Sequence, residues 1–349
     1  MKIAPLMRAY QDAPSIVPML IHTGQHYDHA MSKAFFDDLG IPRPDINLEV
    51  GSGSHARQTA DVMVRFEEVC LEHKPDCVLV VGDVNSTIAC GMVAAKLGIR
   101  LVHVEAGLRS FDRRMPEEIN RVLTDSISDL LFVTERSGLE NLAREGVASE
   151  RVHFVGNVMI DTLLANRARA QESDVLSRLG VTGDYGVVTL HRPSNVDTRD
   201  SLSRIVEVLA ELAEKVPLVW PVHPRTKQRL TSFGLLGELE ASPRFVLTAG
   251  LGYLDFLKLT SSARLILTDS GGVQEESAVL KVPCVTLREN TERPVTCEVG
   301  ANRLVGSDPA AIREGCAWAL GVKASDIADP ELWDGKAATR IVEILSSTT

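Results

Sequence analysis

The chain reads as an α/β protein of two doubly wound, parallel-sheet domains, and three observations predict this. Short apolar runs rich in β-branched residues alternate with amphipathic stretches along the sequence, the alternation of strands with crossover helices. The runs are near-continuous rather than alternating apolar and polar, as strands are when helices cover both faces of a sheet. At 349 residues the chain is also too long for one ordinary core.

Taken in order, the first series of strands is Ser15–Ile21, Cys77–Val81, Leu101–Val104, Leu130–Val133 and Val152–Val155. The second is Gly186–Leu190, Leu218–Val222, Phe245–Leu247, Leu265–Leu267 and Cys284–Leu287. Helical periodicity marks Gln58–His73, Ser86–Leu97, Glu117–Ser126, Arg136–Glu145, Ser201–Glu214, Tyr253–Ser261 and Val273–Leu280. The break is expected at Gly156–Asp161, giving a first Rossmann-like domain over 1–157 and a second over 158–335, with a closing helix over 336–347 packed back on the first. Ligands of such sheets bind at the carboxyl ends of strands, so the cleft between the domains is the expected site. The chain opens on a helix-like stretch, Lys2–Tyr10, where a doubly wound domain normally has a strand; a start further upstream is the expectation.

Composition narrows the class. The chain is 44% hydrophobic and 24% charged, with no low-complexity segment. No apolar run approaches the ~20 residues of a membrane span, and the first residues lack the apolar core of a signal peptide. Six scattered cysteines without CxxC spacing read as reduced thiols of a cytoplasmic protein. A net charge of −10, from 37 basic and 47 acidic residues and without a basic stripe, argues against a nucleic-acid partner. His22 and His26 lie four apart but lack a third ligand at metal spacing, so no metal site is expected.

The most informative segment is Leu265–Pro294, LILTDSGGVQEESAVLKVPCVTLRENTERP. It reads strand, Gly-rich turn, helix, strand, the unit that presents helix-terminal N–H groups to an anion. Gly271 and Gly272 let backbone approach a ligand and Ser270 adds a hydroxyl. Glu275 and Glu276 suit sugar hydroxyls, and Arg293 a diphosphate or ribose. Plain turn chemistry is the competing reading of Ser-Gly-Gly; the polar string around it points to a nucleotide-diphosphate site.

Four other strand or helix ends carry polar groups. Asp83 follows a strand, with Asn85, Ser86 or Thr87 as a cap for the next helix. Glu105 also follows a strand and either pairs with Arg109 or is functional. Pro116, Glu117 and Glu118 mark a helix start. His191 and Arg192, with Asn195 as a following cap, resemble a phosphate grip. Smaller polar pieces hold Gln25 and His26, Arg57 and Gln58, and His223. Three carboxylates in one domain and a His-Arg pair with a phosphate loop in the other suit chemistry on a sugar nucleotide.

In this order GDVNST, HVEAGLRS, PEEINR, TLHRPSN, PVHPR, TDSGGVQEE and TERP resemble the motifs of the non-hydrolysing UDP-N-acetylglucosamine 2-epimerases, over essentially the whole chain from Lys2. The resemblance implies a GT-B-type fold, a cofactor-free isomerase, a UDP-sugar substrate and a homodimer. It also implies a mechanism: UDP leaves C1 as the C2 proton is removed, giving 2-acetamidoglucal, and UDP adds back after protonation on the other face. By the same resemblance Asp83, Glu105 and Glu117 are acid/base groups and His191 the histidine that steadies or protonates departing UDP. Lys2, Arg192, Ser270, Gly271, Gly272, Glu276 and Arg293 contact UDP. Gln25, His26, Arg57, Gln58 and His223 match residues that bind a second UDP-GlcNAc as activator in some members. The chain departs from the family where a first strand and GTRPEA-like loop are missing, and where HRREN is replaced by His191-Arg192-Pro193-Ser194-Asn195. A 2-epimerase of a UDP-diacetamido-uronic sugar, a GT-B glycosyltransferase, a hydrolysing epimerase and an inactive nucleotide-binding protein are the alternatives.

Overall fold

A computed structural model describes residues 1–24, 36 and 38–348, and every strand pairing among them is parallel. The chain is α/β, of the GT-B type. It divides into two compact units, Met1–Thr162 with Glu331–Thr349, and Leu163–Pro330.

In the first unit β1 (Ile21–His22) pairs with β2 (Ile46–Asn47), and β3 (Cys77–Val81), β4 (Arg100–Ala106), β5 (Leu130–Val133) and β6 (Val152–Phe154) form a sheet in that order. Apolar runs arise because both faces are covered. Val78, Val80 and Leu101 pack with Val62 and Phe66 of helix His55–His73 and with Ala89 and Val93 of helix Asn85–Leu97. On the other face Val102, Val104 and Phe132 meet Leu6 of helix Ile3–Ala9 and Ile341 and Leu345 of helix Ala337–Thr348. The Lys2–Tyr10 stretch is thus a core helix. Most of the expected strand Ser15–Ile21 does not form: the strand is Ile21–His22, Val17 is exposed, and Pro18 has no N–H to give a ladder.

The second unit holds β7 (Gly186–Thr189), β8 (Leu218–Pro221), β9 (Phe245–Thr248), β10 (Leu265–Thr268), β11 (Cys284–Thr286) and β12 (Asn302–Leu304). Their order, β12-β11-β10-β7-β8-β9, is the six-stranded Rossmann order, with the reversal between β7 and β10. Val188, Trp220 and Leu267 pack against helices Arg199–Ala213 and Pro309–Gly321; Val187, Val219 and Ile266 face Leu259 and Val273. The strand β12 has no apolar run to announce it. Its three residues, Asn-Arg-Leu, are recruited by pairing with β11.

The C-terminal segment is tied to the first unit by specific polar contacts. The Asp161 carboxylate accepts from the N–H groups of Ala337 and Ala338, at 3.2 and 2.7 Å, which caps the last helix. Trp333 Nε1 donates to the Thr134 carbonyl at 2.8 Å. Gly156 has φ +89°, and a Cβ there would lie 2.1 Å from the Leu332 carbonyl oxygen. Gly156→Ala is therefore expected to cost about 1–3 kcal/mol of stability, read as a Tm lower by on the order of 5 °C; an unchanged Tm would show that the backbone approach is not essential.

Candidate active site

The reversal point of the second sheet gathers one set of groups. Beyond β7 come His191 and Arg192; beyond β10 come Asp269 and Ser270, and helix Gly271–Leu280 begins. The hydroxyls of Thr189 and Thr268 meet at 2.6 Å across the two strand ends. Asp269 is fully buried. Its carboxylate accepts from the His191 and Arg192 N–H groups (3.0 and 2.9 Å), from Asn195 Nδ2 (3.1 Å) and from His191 Nδ1 (2.8 Å). Burial by itself would raise this carboxyl; the His191 hydrogen bond and charge, then the Arg192 and Asn195 donors, outweigh it and hold Asp269 below the usual range.

Ser270 occupies the N-cap of the helix without making a side-chain cap bond, so its hydroxyl is not spent on the helix. The first-turn N–H groups at Gly271 and Gly272 have no intrahelical acceptor and carry the positive end of the helix dipole. A Cβ at Gly271 would lie 2.7 Å from Glu292 Oε1, so a side chain there would displace that carboxylate. Arg293 is buried and paired with Glu275 at 2.6 Å. Burial, and after it the neighbouring Glu275 carboxylate, push Glu276 up to about 8, with Tyr253 acting in the opposite direction. His223 lies beside His191, ring centroids 5.7 Å apart, and its Nδ1 accepts from the Arg225 N–H at 3.2 Å. Burial, then the charge of His191, lower His223.

The first unit gathers a second set at the ends of β3 and β4. Asp83 pairs with Arg121 Nε at 3.0 Å, and Asn120 donates to the Asp83 carbonyl at 2.8 Å. Both partners come from helix Pro116–Ile127, whose first turn carries Glu117. Arg121 also binds Glu118, and Glu118 accepts from the N–H groups of Ser110 and Phe111 at 2.9 and 2.8 Å. Glu117 is half-buried, and among the described residues no cation pairs with its carboxylate.

Glu105 sits on β4 with φ +73°, at a register shift between Val104 and Ala106. Such a bulge re-aims a side chain. Its buried carboxylate binds Lys2 Nζ. A Cβ at Gly82 would lie 2.8 Å from that nitrogen and 3.3 Å from Glu105 Oε2, so glycine opens the notch they share. Behind it, His103 bridges the Gly82 carbonyl (2.9 Å) and Asp125 (2.6 Å), while Asp125 pairs with Arg109 at 2.7 Å and Arg109 with Glu145 at 2.6 Å.

Several local expectations are corrected. Glu105 does not pair with Arg109, because Arg109 is held by Asp125 and Glu145. Helix Asn85–Leu97 has Val84 at its N-cap without a side-chain cap bond; Thr87 instead donates to the Val81 carbonyl at 3.2 Å. Asn195 is not a cap either: Arg192 holds that position, and Asn195 joins Asp269 to the Leu287 carbonyl. Of the residues grouped as an activator site, Gln25 and His26 lie outside the described residues. Gln58 accepts from Asn85 at 2.8 Å, and Arg57 is an exposed partner of Asp61. Sequence reading passed over Asp269 and Arg121. Asp269 stood inside the TDSGG string directly after an apolar strand, the same signal that singled out Asp83 and Glu105.

Among the described residues no group of three His, Cys, Asp or Glu could hold a metal ion, and no helix is long and apolar enough to cross a membrane. All six cysteines are free.

A Rossmann-ordered sheet with an anion-ready helix at its reversal point, and a carboxylate cluster on a second parallel sheet, define a nucleotide-sugar enzyme of GT-B type. The sequence profile of the UDP-N-acetylglucosamine 2-epimerases matches residues 8–346. The chain is 45% identical to the UDP-N-acetylglucosamine 2-epimerase of Methanocaldococcus jannaschii, over 99% of this chain and 95% of that one. It is 41% identical to the UDP-2,3-diacetamido-2,3-dideoxy-D-glucuronate 2-epimerase of Pseudomonas aeruginosa, over 99% and 96%. The solved structure of the M. jannaschii UDP-GlcNAc 2-epimerase, in complex with UDP-GlcNAc and UDP, superposes with a TM-score of 0.92 over 99% of this chain and 96% of that one, at 45% identity. This chain belongs to the UDP-N-acetylglucosamine 2-epimerase family, and it is an isomerase.

Glu276 has a pKa raised from 4.5 to about 8. The folded state therefore keeps a proton that the unfolded chain has released, and stability falls as pH rises across that window, flattening above it. The Tm difference between wild type and Glu276→Gln is expected to move against wild type from about pH 5 to about pH 8; an offset independent of pH would show that Glu276 is ionised throughout.

Proposed function

We propose that this isomerase interconverts UDP-N-acetylglucosamine and UDP-N-acetylmannosamine, by elimination of UDP to 2-acetamidoglucal and re-addition. The observation that carries the reading is the reversal-point site, where His191 and Arg192 stand beside the N-terminus of helix Gly271–Leu280. Ser270, Gly271, Gly272 and Arg192 bind the diphosphate, Glu276 and Arg293 the nucleoside end, and Lys2 adds a cation. His191 stabilises or protonates the departing phosphate. Asp83, Glu105 and Glu117 handle the C2 proton and the sugar. That proton has no ring carbonyl to acidify it, so acid–base help of ~10²–10⁴-fold per group must be joined by stabilisation of the leaving diphosphate. Sidedness of the C2 proton is served by having more than one carboxylate, since removal and return occur on opposite faces.

The enzyme acts without a cofactor, as a cytoplasmic homodimer supplying an aminosugar nucleotide for surface polysaccharide. Gln25, His26, Arg57, Gln58 and His223 are the residues through which a second UDP-GlcNAc would activate it. The 41% identity to a diacetamido-glucuronate 2-epimerase supports a second reading, the same chemistry on that more anionic sugar.

The test is proton NMR of the protein with UDP-GlcNAc in D2O. UDP-ManNAc with deuterium at C2 of both sugars is expected; turnover only of the diacetamido-uronic substrate would move the assignment to the second reading, and free ManNAc would move it to hydrolysis. His191→Ala is expected to lower kcat by about 100-fold or more while leaving UDP affinity within a few-fold; equal losses in both would make it a binding residue. Asp83→Asn, close to isosteric, is expected to abolish C2 exchange while keeping a native circular dichroism spectrum, and full exchange in that variant would return Asp83 to a purely structural role.

A further inference from the structure

Asp269 is a buried carboxylate of the second unit that accepts from donors on the turn after β7. Both oxygens are taken by donors from a single neighbouring segment: the His191 N–H, the Arg192 N–H, the Asn195 amide and the His191 ring. The carboxylate side chain has no exposed surface, whereas 43% of the His191 side chain is exposed. An ionised carboxylate only accepts, so the ring nitrogen 2.8 Å away must carry a proton. We propose that Asp269 is the positioning residue of this site: it holds His191 as the Nδ1–H tautomer with Nε2 as the nitrogen turned toward the ligand, and it ties that ring to the first turn of the phosphate-binding helix.

Three further contacts support a positioning role. Arg192 Nε donates to the Asp269 carbonyl at 3.2 Å, so the same residue places the guanidinium as well as the imidazole. Asn195 Nδ2 links the carboxylate to the Leu287 carbonyl beyond β11, bracing it from a third strand exit. The adjacent His223 has its Nδ1 occupied as acceptor from the Arg225 N–H, so its proton sits on Nε2, and it does not compete for Asp269. The arrangement is the logic by which a buried carboxylate orients a catalytic imidazole, where exchange of Asp for Asn forces the wrong tautomer and costs about 10⁴-fold in a serine protease. The catalytic consequence rests on the role proposed above for His191; the tautomer does not.

The experiment uses the full chain labelled with 15N-histidine. Two-bond proton–nitrogen correlation spectra, recorded at a pH where the rings are neutral, read which nitrogen of each histidine bears the proton, and His191→Ala assigns the signal. Nδ1–H is expected for His191 in the wild type, changing to Nε2–H in Asp269→Asn, whose amide N–H2 donates to Nδ1. The same variant is expected to lose about 100-fold or more in kcat on UDP-GlcNAc, with the Kd for UDP within about threefold. An Nε2–H signal for His191 in the wild type, or a variant retaining kcat within about threefold, would overturn the proposal. Should Asp269→Asn fail to give a native circular dichroism spectrum, the wild-type tautomer alone decides. A wild type with Nδ1–H but no turnover of UDP-GlcNAc would overturn the proposed substrate and leave the tautomer assignment standing.

Discussion

In a parallel sheet every strand delivers its carboxyl end to the same edge, and both units of this chain are organised by that constraint. Residues distant in sequence meet there without long loops: Thr189 and Thr268 touch across two strand ends. The second unit adds a reversal of strand order between β7 and β10, so the crossovers leave in opposite directions and open a crevice at that point. Asp269 occupies it. A buried, unpaired carboxylate costs several kcal/mol, and the donors from His191, Arg192 and Asn195 offset that cost only if the turn after β7 keeps its shape. The carboxylate and the turn therefore hold one another, and the helix beginning at Gly271 inherits its direction from β10.

The first unit reaches a comparable end by a different route. Its sheet has no such reversal among β3 to β6. Instead Glu105 is turned by a bulge and a positive φ, a conformation worth on the order of 1–3 kcal/mol of strain for a non-glycine residue. The strain is over-determined by its surroundings: Lys2 binds the carboxylate, Gly82 leaves the space, and His103 fastens the Gly82 carbonyl to Asp125. Acidic groups at these strand ends are matched by cations of separate origin, Lys2 from the N-terminal helix start and Arg121 from the helix carrying Glu117.

The two sets differ in polarity, and the proposed sugar-nucleotide chemistry draws on that difference. One is a helix terminus with an arginine and a histidine, suited to a diphosphate. The other is rich in carboxylates, suited to moving protons.

Much of the fold was legible in the amino-acid sequence because both faces of each sheet are covered: Cys77–Val81 and Leu130–Val133 announce themselves as unbroken apolar runs, and their strand limits coincide with those runs. Strands without that signature were not legible. Asn302–Leu304 is too short and polar to stand out, and forms because β11 offers an edge to pair with; Ser15–Ile21 is apolar but contains Pro18, which has no N–H to give a ladder. For the site, the sequence by itself determined which polar residues stand at strand and helix ends, since the end of an apolar run marks the place. Which of them touch was decided only by the tertiary structure. Glu105 takes Lys2 rather than Arg109, Asn195 braces Asp269 rather than capping a helix, and His223 stands beside His191. A side-chain partner is set by strand order and backbone direction in space, and neither is written in the spacing along the chain.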